Sequence, residues 1–281
     1  MDTFAVILVL TAAFMHASWN AIVKIDDDRL VTMAVMIGTT GLLAPLLLLL
    51  GPAPAAESWP YIVLSALLNN AYFLFLIEAY RVGDLSHAYP LARGSAPLLV
   101  AGFAALFAGE YLSARELAGV AIVSGGIIAL MAVGKRGLKG GWRSIVYPLL
   151  TGLMIAAYTV VDGIGVRLSG SPAGYIGWLF MLSPLPLVAI TLILRGRAAA
   201  AFLRAGWHRP VLGGCLNMGS YGLSIWALSI GAMAHVSALR ETSVIIAALI
   251  GTCLLKEPLG VHRVLASIAV AFGVVLIVGI V

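Results

Sequence analysis

The feature that most constrains this chain is a series of long apolar segments that are almost free of charge. Twenty residues in an α-helix span about 30 Å, which is the thickness of the hydrocarbon core of a bilayer. Only 10% of the 281 residues are charged and 62% are apolar, whereas a soluble domain is about one-quarter charged. This composition excludes a soluble enzyme. It predicts an all-α integral membrane protein, because backbone groups in lipid must find their hydrogen bonds within the protein.

Ten segments of the chain have the length of a membrane span. Each holds roughly 20 mostly apolar residues, and we predict that each forms one transmembrane helix. Ser113 followed by Glu116 predicts a capping box at the start of the fifth helix. The predicted spans are 4–23, 30–51, 59–80, 88–108, 116–134, 145–166, 173–194, 210–230, 234–255 and 264–281.

The net charge of +5 comes largely from Lys and Arg residues in the short loops between these segments. Loops after the odd-numbered spans hold nearly all of them, whereas loops on the opposite face hold only Arg115 and Arg167. Short basic loops of membrane proteins stay in the cytoplasm. We therefore expect a multi-pass protein of a bacterial cytoplasmic (inner) membrane with both termini outside, and we expect no nucleic-acid partner.

The chain contains an internal duplication. A shift of 148 residues, or of 147 after one residue is removed, brings identical residues of the two halves into register. Polar and aromatic types are among them, which a shared apolar composition does not readily align. The matches include Trp59 with Trp207, Asn69 with Asn217, His87 with His235, Arg93 with Arg240 and Glu110 with Glu257.

A basic, glycine-rich stretch, KRGLKGGWR, separates the two copies. We predict a first five-helix repeat at 1–134, a cytoplasmic linker at 135–144 and a second five-helix repeat at 145–281. Because five is odd, the second repeat must be inverted relative to the first. Inverted-topology repeats are an architecture of secondary transporters, whose substrate site lies near the membrane midplane between the repeats.

Three stretches of the chain resemble the EamA-like ten-span members of the drug/metabolite transporter superfamily. They are MHASWNAIVK in the first span, YPLARGSAPLLVAGFAALFAGEYL in the fourth, and Lys256, Glu257 and Pro258 before Leu259 at the end of the ninth. The resemblance implies a ten-helix basket around a central cavity that exports or exchanges small metabolites. MHASWN and YPLARGSAP together also resemble a branch of this family that is associated with phosphonate utilisation.

Two arginines, Arg93 and Arg240, lie inside predicted spans at equivalent depths of the two repeats. A charge at the bilayer centre costs at least ~2.5 kcal/mol, so such residues are candidates for function. A guanidinium offers a bidentate fork to carboxylate or phosphate, and phosphate-carrying relatives hold anions with basic residues on these two helices. We therefore expect both arginines to contact an anionic group of the substrate. The alternative is a pair of structural salt bridges, Arg93 with Glu78 and Arg240 with Asp162 or Glu241.

Further polar residues form stripes at helical spacing on several predicted spans. Such stripes are unfavourable against lipid, and we expect them to line a shared cavity that binds the substrate. Interhelical hydrogen bonds are the alternative explanation. The candidate binding residues in these stripes are His16, Trp19 and Asn20 on the first span, Asn69 and Tyr72 on the third, Tyr158 on the sixth, and Asn217 and Tyr221 on the eighth.

Three acidic residues within the spans are candidates for coupling or gating: Glu78, Asp162 and Glu241. A buried carboxyl group can take up and release a proton during a transport cycle, and His16 could serve in the same way. Exchange against a counter-substrate is the other form of coupling that we consider.

These features predict a secondary transporter that moves a small, polar, anion-bearing metabolite by alternating access. An amino acid, a phosphonate or an organic acid fits this description. A flippase for a lipid or lipid-linked metabolite is the alternative. An intramembrane enzyme is disfavoured, because the chain lacks a His-Glu-x-x-His motif, a Gly-x-Ser-x-Gly motif and paired aspartates at proteolytic spacing. The chain also lacks a Walker loop, which disfavours direct coupling to ATP. We expect no cofactor, and we expect no metal because Cys215 and Cys253 do not have the spacing of metal ligands. We expect the protein to be a monomer or a homodimer.

Overall fold

The computed structural model of the chain describes residues 2–25, 29–82, 85–133, 141–253 and 260–279. These residues form α-helices, two short 3-10 turns and connections, and no strand. The prediction of an all-α protein is confirmed. The helices are α1 (Thr3–Ile25), α2 (Arg29–Leu48), α3 (Trp59–Val82), α4 (Leu85–Ala108), α5 (Ala114–Ile128), α6 (Arg143–Leu168), α7 (Pro172–Leu182), α8 (Pro184–Gly206), α9 (His208–Ile230), α10 (Met233–Arg240), α11 (Ser243–Cys253) and α12 (Val261–Val278).

Within the described residues, nine helical segments are long and apolar enough to cross a membrane. The predicted eighth span, 210–230, forms the 23-residue helix α9, but α9 is not one of these nine segments. Its polar residues, among them Asn217, Ser220 and Ser224, lower its mean hydropathy. The structure therefore supports a multi-pass membrane protein without confirming the number ten.

Two of the predicted spans are divided in the structure. The predicted span 173–194 falls on α7 and α8, with Ser183 between them. Pro184 is the first residue of α8, a position at which a helix does not need the backbone N–H that proline lacks. The predicted span 234–255 falls on α10 and α11. At this second division the backbone N–H groups of Glu241 and Thr242 bond carbonyls three residues back, which tightens the helix into a turn.

The packing of the helices follows the internal duplication. The 148-residue shift relates α1 to α6 and α3 to α9, and the structure packs α1 against α9 and α3 against α6. It also relates α5 to α12, and these two helices pack against each other. Each of these contacts joins one half to the other: the α1–α9 contact has its equivalent in the α6–α3 contact, and the α5–α12 contact is its own equivalent.

The α5–α12 contact is made by small residues. A Cβ atom on Gly119 would lie 2.8 Å from the carbonyl oxygen of Gly273, and one on Gly273 would lie 2.7 Å from the carbonyl oxygen of Gly119. Gly126, which the duplication matches with Gly273, faces Ala269 at a similar separation, with 2.7 Å between its added Cβ and that of Ala269. Small residues at a helix interface let the two backbones approach closely.

One end of the bundle gathers the connections α2–α3, α4–α5, α6–α7 and α9–α10. The Ala55 N–H donates to the carbonyl of Ser169, 3.0 Å away, which joins the first connection to the third. Arg167 at the end of α6 reaches Glu110 between α4 and α5 and the carbonyl of Gly231 between α9 and α10. Part of the predicted linker 135–144, together with Glu257, lies outside the described residues.

Candidate functional site

A buried ion pair joins α4 to the division between α10 and α11. The Nη2 atom of Arg93 lies 2.8 Å from Oε1 of Glu241, and its Nε donates to Oε2 at 3.2 Å. The two side chains are 7% and 3% exposed. The expected alternative pair of Arg93 with Glu78 is wrong: Glu78 lies 3.0 Å from Arg81 Nη2, one turn along α3, where both side chains are accessible. Because Glu241 sits on the helix break beside α4, it reaches Arg93 with both oxygens.

Arg240 ends α10 and is 8% exposed. Its guanidinium lies within hydrogen-bonding reach of the Tyr158 hydroxyl on α6. Among the described residues no carboxylate lies within 4 Å of it, so the expected alternative pairs of Arg240 with Asp162 or Glu241 do not form there. Glu241, the next residue in the chain, is turned towards Arg93 instead.

A second polar network surrounds Asp162, which is fully buried on α6. The Tyr175 hydroxyl donates to its Oδ1 at 3.0 Å, and the Tyr221 hydroxyl donates to its Oδ2 at 2.5 Å. Tyr221 in turn accepts a hydrogen bond of 2.9 Å from Asn69 Nδ2. The amide of Asn69 also donates to the carbonyl of Ser65. The network joins α3, α6, α7 and α9 and includes three of the predicted site residues.

A row of aromatic rings lies between the two polar groups. The rings of Tyr72 and Tyr158 have centroids 5.9 Å apart, and those of Tyr158 and Tyr221 are 5.7 Å apart, both edge to face. Phe180 continues the row beside Tyr221 at 5.7 Å. Tyr158 links the two groups, because it reaches Arg240 and stands one helical turn before Asp162 on α6.

The predicted residues of α1 lie at the edge of this site. His16 lies close enough to Arg93 and Arg240 to interact electrostatically with both guanidinium groups. Its ring packs edge to face on Trp19, with 4.9 Å between the ring centroids. Trp19 is buried, and its indole N–H has no hydrogen-bond partner among the described residues. The side-chain amide of Asn20 donates back to the carbonyl of His16 at 2.8 Å.

Asn217 is half-buried on α9, one turn before Tyr221. It therefore lies on the helix that carries the Tyr221 hydroxyl. Glu78 lies near the end of α3, where it pairs with Arg81.

Two tyrosines of the site are missing from the sequence prediction. Tyr89 stands one turn before Arg93 on α4 and feels the charges of Arg93, Glu241 and Arg240. Its spacing of four residues from Arg93 is the signal that could have identified it. Tyr175, which donates to Asp162, lies in an otherwise apolar helix, where no neighbouring polar residue marks it.

The side chains of this centre are not arranged as a metal site. Among the described residues, no three His, Cys, Asp or Glu side chains cluster closely enough to hold an ion. Cys215 and Cys253 are free and exposed. The chemistry that the centre offers is hydrogen bonding and charge, supplied by guanidinium, phenol, amide and carboxylate groups.

Comparison with known proteins identifies the family. The sequence model of the EamA-like transporter family matches the chain twice, at residues 3–132 and 142–279. No curated protein matches the chain. Solved structures do match, and one of them, described as "Crystal structure of protein", aligns over 99% of both chains with a TM-score of 0.76 and 16% identity. At that identity the likeness supports the fold alone. The two family matches cover almost the whole chain, so it belongs to the EamA-like transporter family, a membrane transporter family of the drug/metabolite transporter superfamily.

Proposed function

We propose that this protein is a secondary transporter for a small polar metabolite with an anionic group, and that Arg240 is the main contact for that group. The observation that carries the proposal is the difference between the two buried arginines. Arg93 is neutralised by Glu241 at 2.8 Å, whereas no described carboxylate lies within 4 Å of Arg240. A buried charge without an opposite charge in contact is unfavourable, so an anionic solute would compensate it.

The location of Arg240 supports this role. It lies at the division between α10 and α11, and discontinuous helices at the interface of two repeats form the substrate sites of many secondary transporters. His16, Tyr72, Tyr89 and Tyr221 lie deep among the helices yet keep part of their accessible surface, which supports a small hollow beside the arginine.

The other predicted residues complete the proposed site. Trp19 offers a buried N–H without a described partner, and Arg93 becomes a second anion contact if the solute displaces Glu241. Asp162 and Glu241 remain our candidates for coupling, by a proton or by counter-substrate exchange. The remaining proposed contacts are Asn20, Asn69, Tyr158 and Asn217, and Glu78 is proposed for gating alone.

The transport cycle that we propose is alternating access between two inverted repeats, 1–134 and 145–281, joined by the linker 135–144. We include α9 as the tenth span, because it is as long as its neighbours and packs against α1 and α2. The basic loops then face the cytoplasm of a bacterium, and both termini lie outside.

The test is a thermal-shift screen of amino acids, phosphonates and carboxylates on the purified wild-type protein and on Arg240→Ala. Ligands stabilise the state that binds them, so anionic compounds should raise the melting temperature of the wild type. In Arg240→Ala we expect affinity to fall by about 1.5–3 kcal/mol, roughly 10- to 100-fold, because a charge-assisted hydrogen bond is lost.

Two controls sharpen this experiment. Arg240→Lys keeps the positive charge but loses the bidentate guanidinium, and this variant should bind the anionic compounds with intermediate affinity. Arg81→Ala removes an accessible arginine that pairs with Glu78 and should leave the stabilisation unchanged. Equal stabilisation of the wild type and Arg240→Ala by the same compounds would reject Arg240 as the anion contact.

A further inference from the structure

A cluster at one end of the bundle ties the first repeat to the second, and the proposed site does not use it. Glu110, in the connection between α4 and α5, holds two groups at once. Its Oε1 lies 2.5 Å from Nη1 of Arg167, and its Oε2 accepts a 2.7 Å hydrogen bond from the backbone N–H of Met233. Arg167 also donates to the carbonyls of Leu228 at 3.0 Å and Gly231 at 2.7 Å. We call Glu110, Arg167, Leu228, Gly231 and Met233 the Glu110 cluster.

The Glu110 cluster acts on the helix that carries Arg240. Met233 is the first residue of α10 and Arg240 is the last, and the eight residues of this helix form a short rod about 12 Å long at 1.5 Å per residue. Glu110 accepts from the free N–H at the start of this rod, where a carboxylate also meets the positive end of the helix dipole. Any displacement of Met233 along the rod is carried to Arg240.

A second carboxylate of the first repeat lies against the same short helix. His235 Nε2 lies 3.1 Å from Oε1 of Glu116, and Glu116 is fixed by the capping box that it forms with Ser113 at the start of α5. The α4–α5 corner therefore contacts α10 at two successive points, through Glu110 and Glu116. The turn after Arg240 ends α10 before α11 begins at Ser243, so α10 is a separate short helix.

We propose that the Glu110 cluster is the gate of this end of the transporter, and that its release lets α10 swing and opens a path to Arg240. This inference rests on the proposed function. The side chains of Arg167 and Glu110 are 34% and 18% exposed, so water reaches the pair and can replace its bonds when the gate opens. The ion pair holds the closed state, and the break between α10 and α11 supplies the hinge.

The experiment measures how often α10 opens. Ser237, in the middle of α10, is 5% exposed, so a cysteine placed there reacts with a water-soluble maleimide only when the helix moves. Both native cysteines are first replaced, by Cys215→Ser and Cys253→Ser, because both are exposed. The protein is purified and held in lipid nanodiscs, so that both of its faces meet the reagent.

Glu110→Gln should raise the labelling rate of Ser237→Cys about 10- to 100-fold, because two bonds to a charged carboxylate are weakened and the labelling rate follows the population of the open form. Arg167→Gln should raise it less, since Glu110 keeps its bond to Met233. In the double variant, the labelling rate should rise above that of Glu110→Gln by a smaller factor than Arg167→Gln produces alone. Such non-additivity is expected for residues that act in one cluster.

Glu57→Gln is the matched control, because Glu57 is an exposed carboxylate just before α3; it should leave labelling unchanged. If Glu110→Gln does not fold, Glu110→Asp keeps the charge but shortens the reach, and it should give a smaller increase. Unchanged labelling in folded Glu110 variants, or independent effects of the two single changes, would overturn the gate.

The same preparation separates this inference from the proposed function. If the Glu110 variants label as expected but no anionic compound stabilises the wild type, the proposed substrate is rejected and the gate stands. If compounds stabilise the wild type through Arg240 while the labelling of every Glu110 variant stays at the wild-type rate, the gate is rejected and the substrate site stands.

Discussion

At the scale of single residues, the partners of two buried carboxylates, Glu241 and Asp162, determine which side chains at the centre of this protein remain available to a ligand. Glu241 gives both oxygens to Arg93, although Arg240 is its neighbour in the chain. Asp162 accepts hydrogen bonds from two phenols, and the Ser65 side chain also lies within hydrogen-bonding reach of it. As a result one guanidinium, that of Arg240, keeps hydrogen-bonding capacity for a partner that the described part of the chain does not supply.

The phenols that hold Asp162 are a testable part of this arrangement. Tyr175→Phe removes the donor to Oδ1 while keeping the ring in place, so one lone pair of a fully buried carboxylate loses its partner. We expect the protein to lose about 1–3 kcal/mol of stability, measured as a lower melting temperature in detergent. Tyr111→Phe, at a side chain that is 82% exposed, should have no effect, and equal melting of both variants would contradict the role of Tyr175.

Residue patterns on single helices could be read from the sequence, whereas partners on different helices could not. The capping box of Ser113 and Glu116 forms as predicted, because it depends on residues three positions apart. The choice of Glu241 over Glu78 by Arg93 depends on where α4 meets the division between α10 and α11. No spacing along the chain encodes that distance, and nothing local distinguished Tyr175 as a partner of Asp162.

At the scale of helices, the contact of α5 with α12 depends on the absence of side chains. Gly119→Ala places a methyl group 2.8 Å from a backbone oxygen of the facing helix, so one helix must shift. We expect a destabilisation of about 1–3 kcal/mol, seen as a lower melting temperature.

Gly125 on the same helix provides the matched control for Gly119→Ala. A Cβ there meets nothing within 4 Å, and Ala is favoured over Gly in a helix by about 1 kcal/mol. Gly125→Ala should therefore be neutral or stabilising. If both variants melt alike, the glycine contact between α5 and α12 does not limit stability.

Hydropathy predicted the positions of the helices well but not the breaks within them. The division after Arg240 carries no proline or glycine, the residues that usually mark a break in a sequence. At this division the backbone N–H groups of Glu241 and Thr242 bond carbonyls three residues back, and the Glu241 side chain forms the ion pair with Arg93. Because these causes are tertiary, a continuous apolar run was the only pattern that the sequence offered there.

At the scale of the whole molecule, α9 decides the topology. It carries Tyr221 and packs against α1, α2 and α6, yet its polar residues leave it below the hydropathy of the other spans. If α9 crosses the membrane, the spans number ten, the repeats are inverted copies, and both termini share one face. If it does not, the second repeat has four crossings and the inverted relation fails.

Labelling at the two ends of α9 tests this topology directly. In a chain that carries Cys215→Ser and Cys253→Ser, cysteines are placed singly at Trp207 and Ile230, which lie at the two ends of α9 and are both exposed. In intact cells an impermeant maleimide should label Ile230→Cys, because that end of α9 belongs to the face with few basic residues, which is predicted to lie outside. Trp207→Cys should react only after the membrane is permeabilised. Labelling of both cysteines from the same side would show that α9 does not cross, whereas labelling of Trp207→Cys alone would keep ten spans and reverse the orientation.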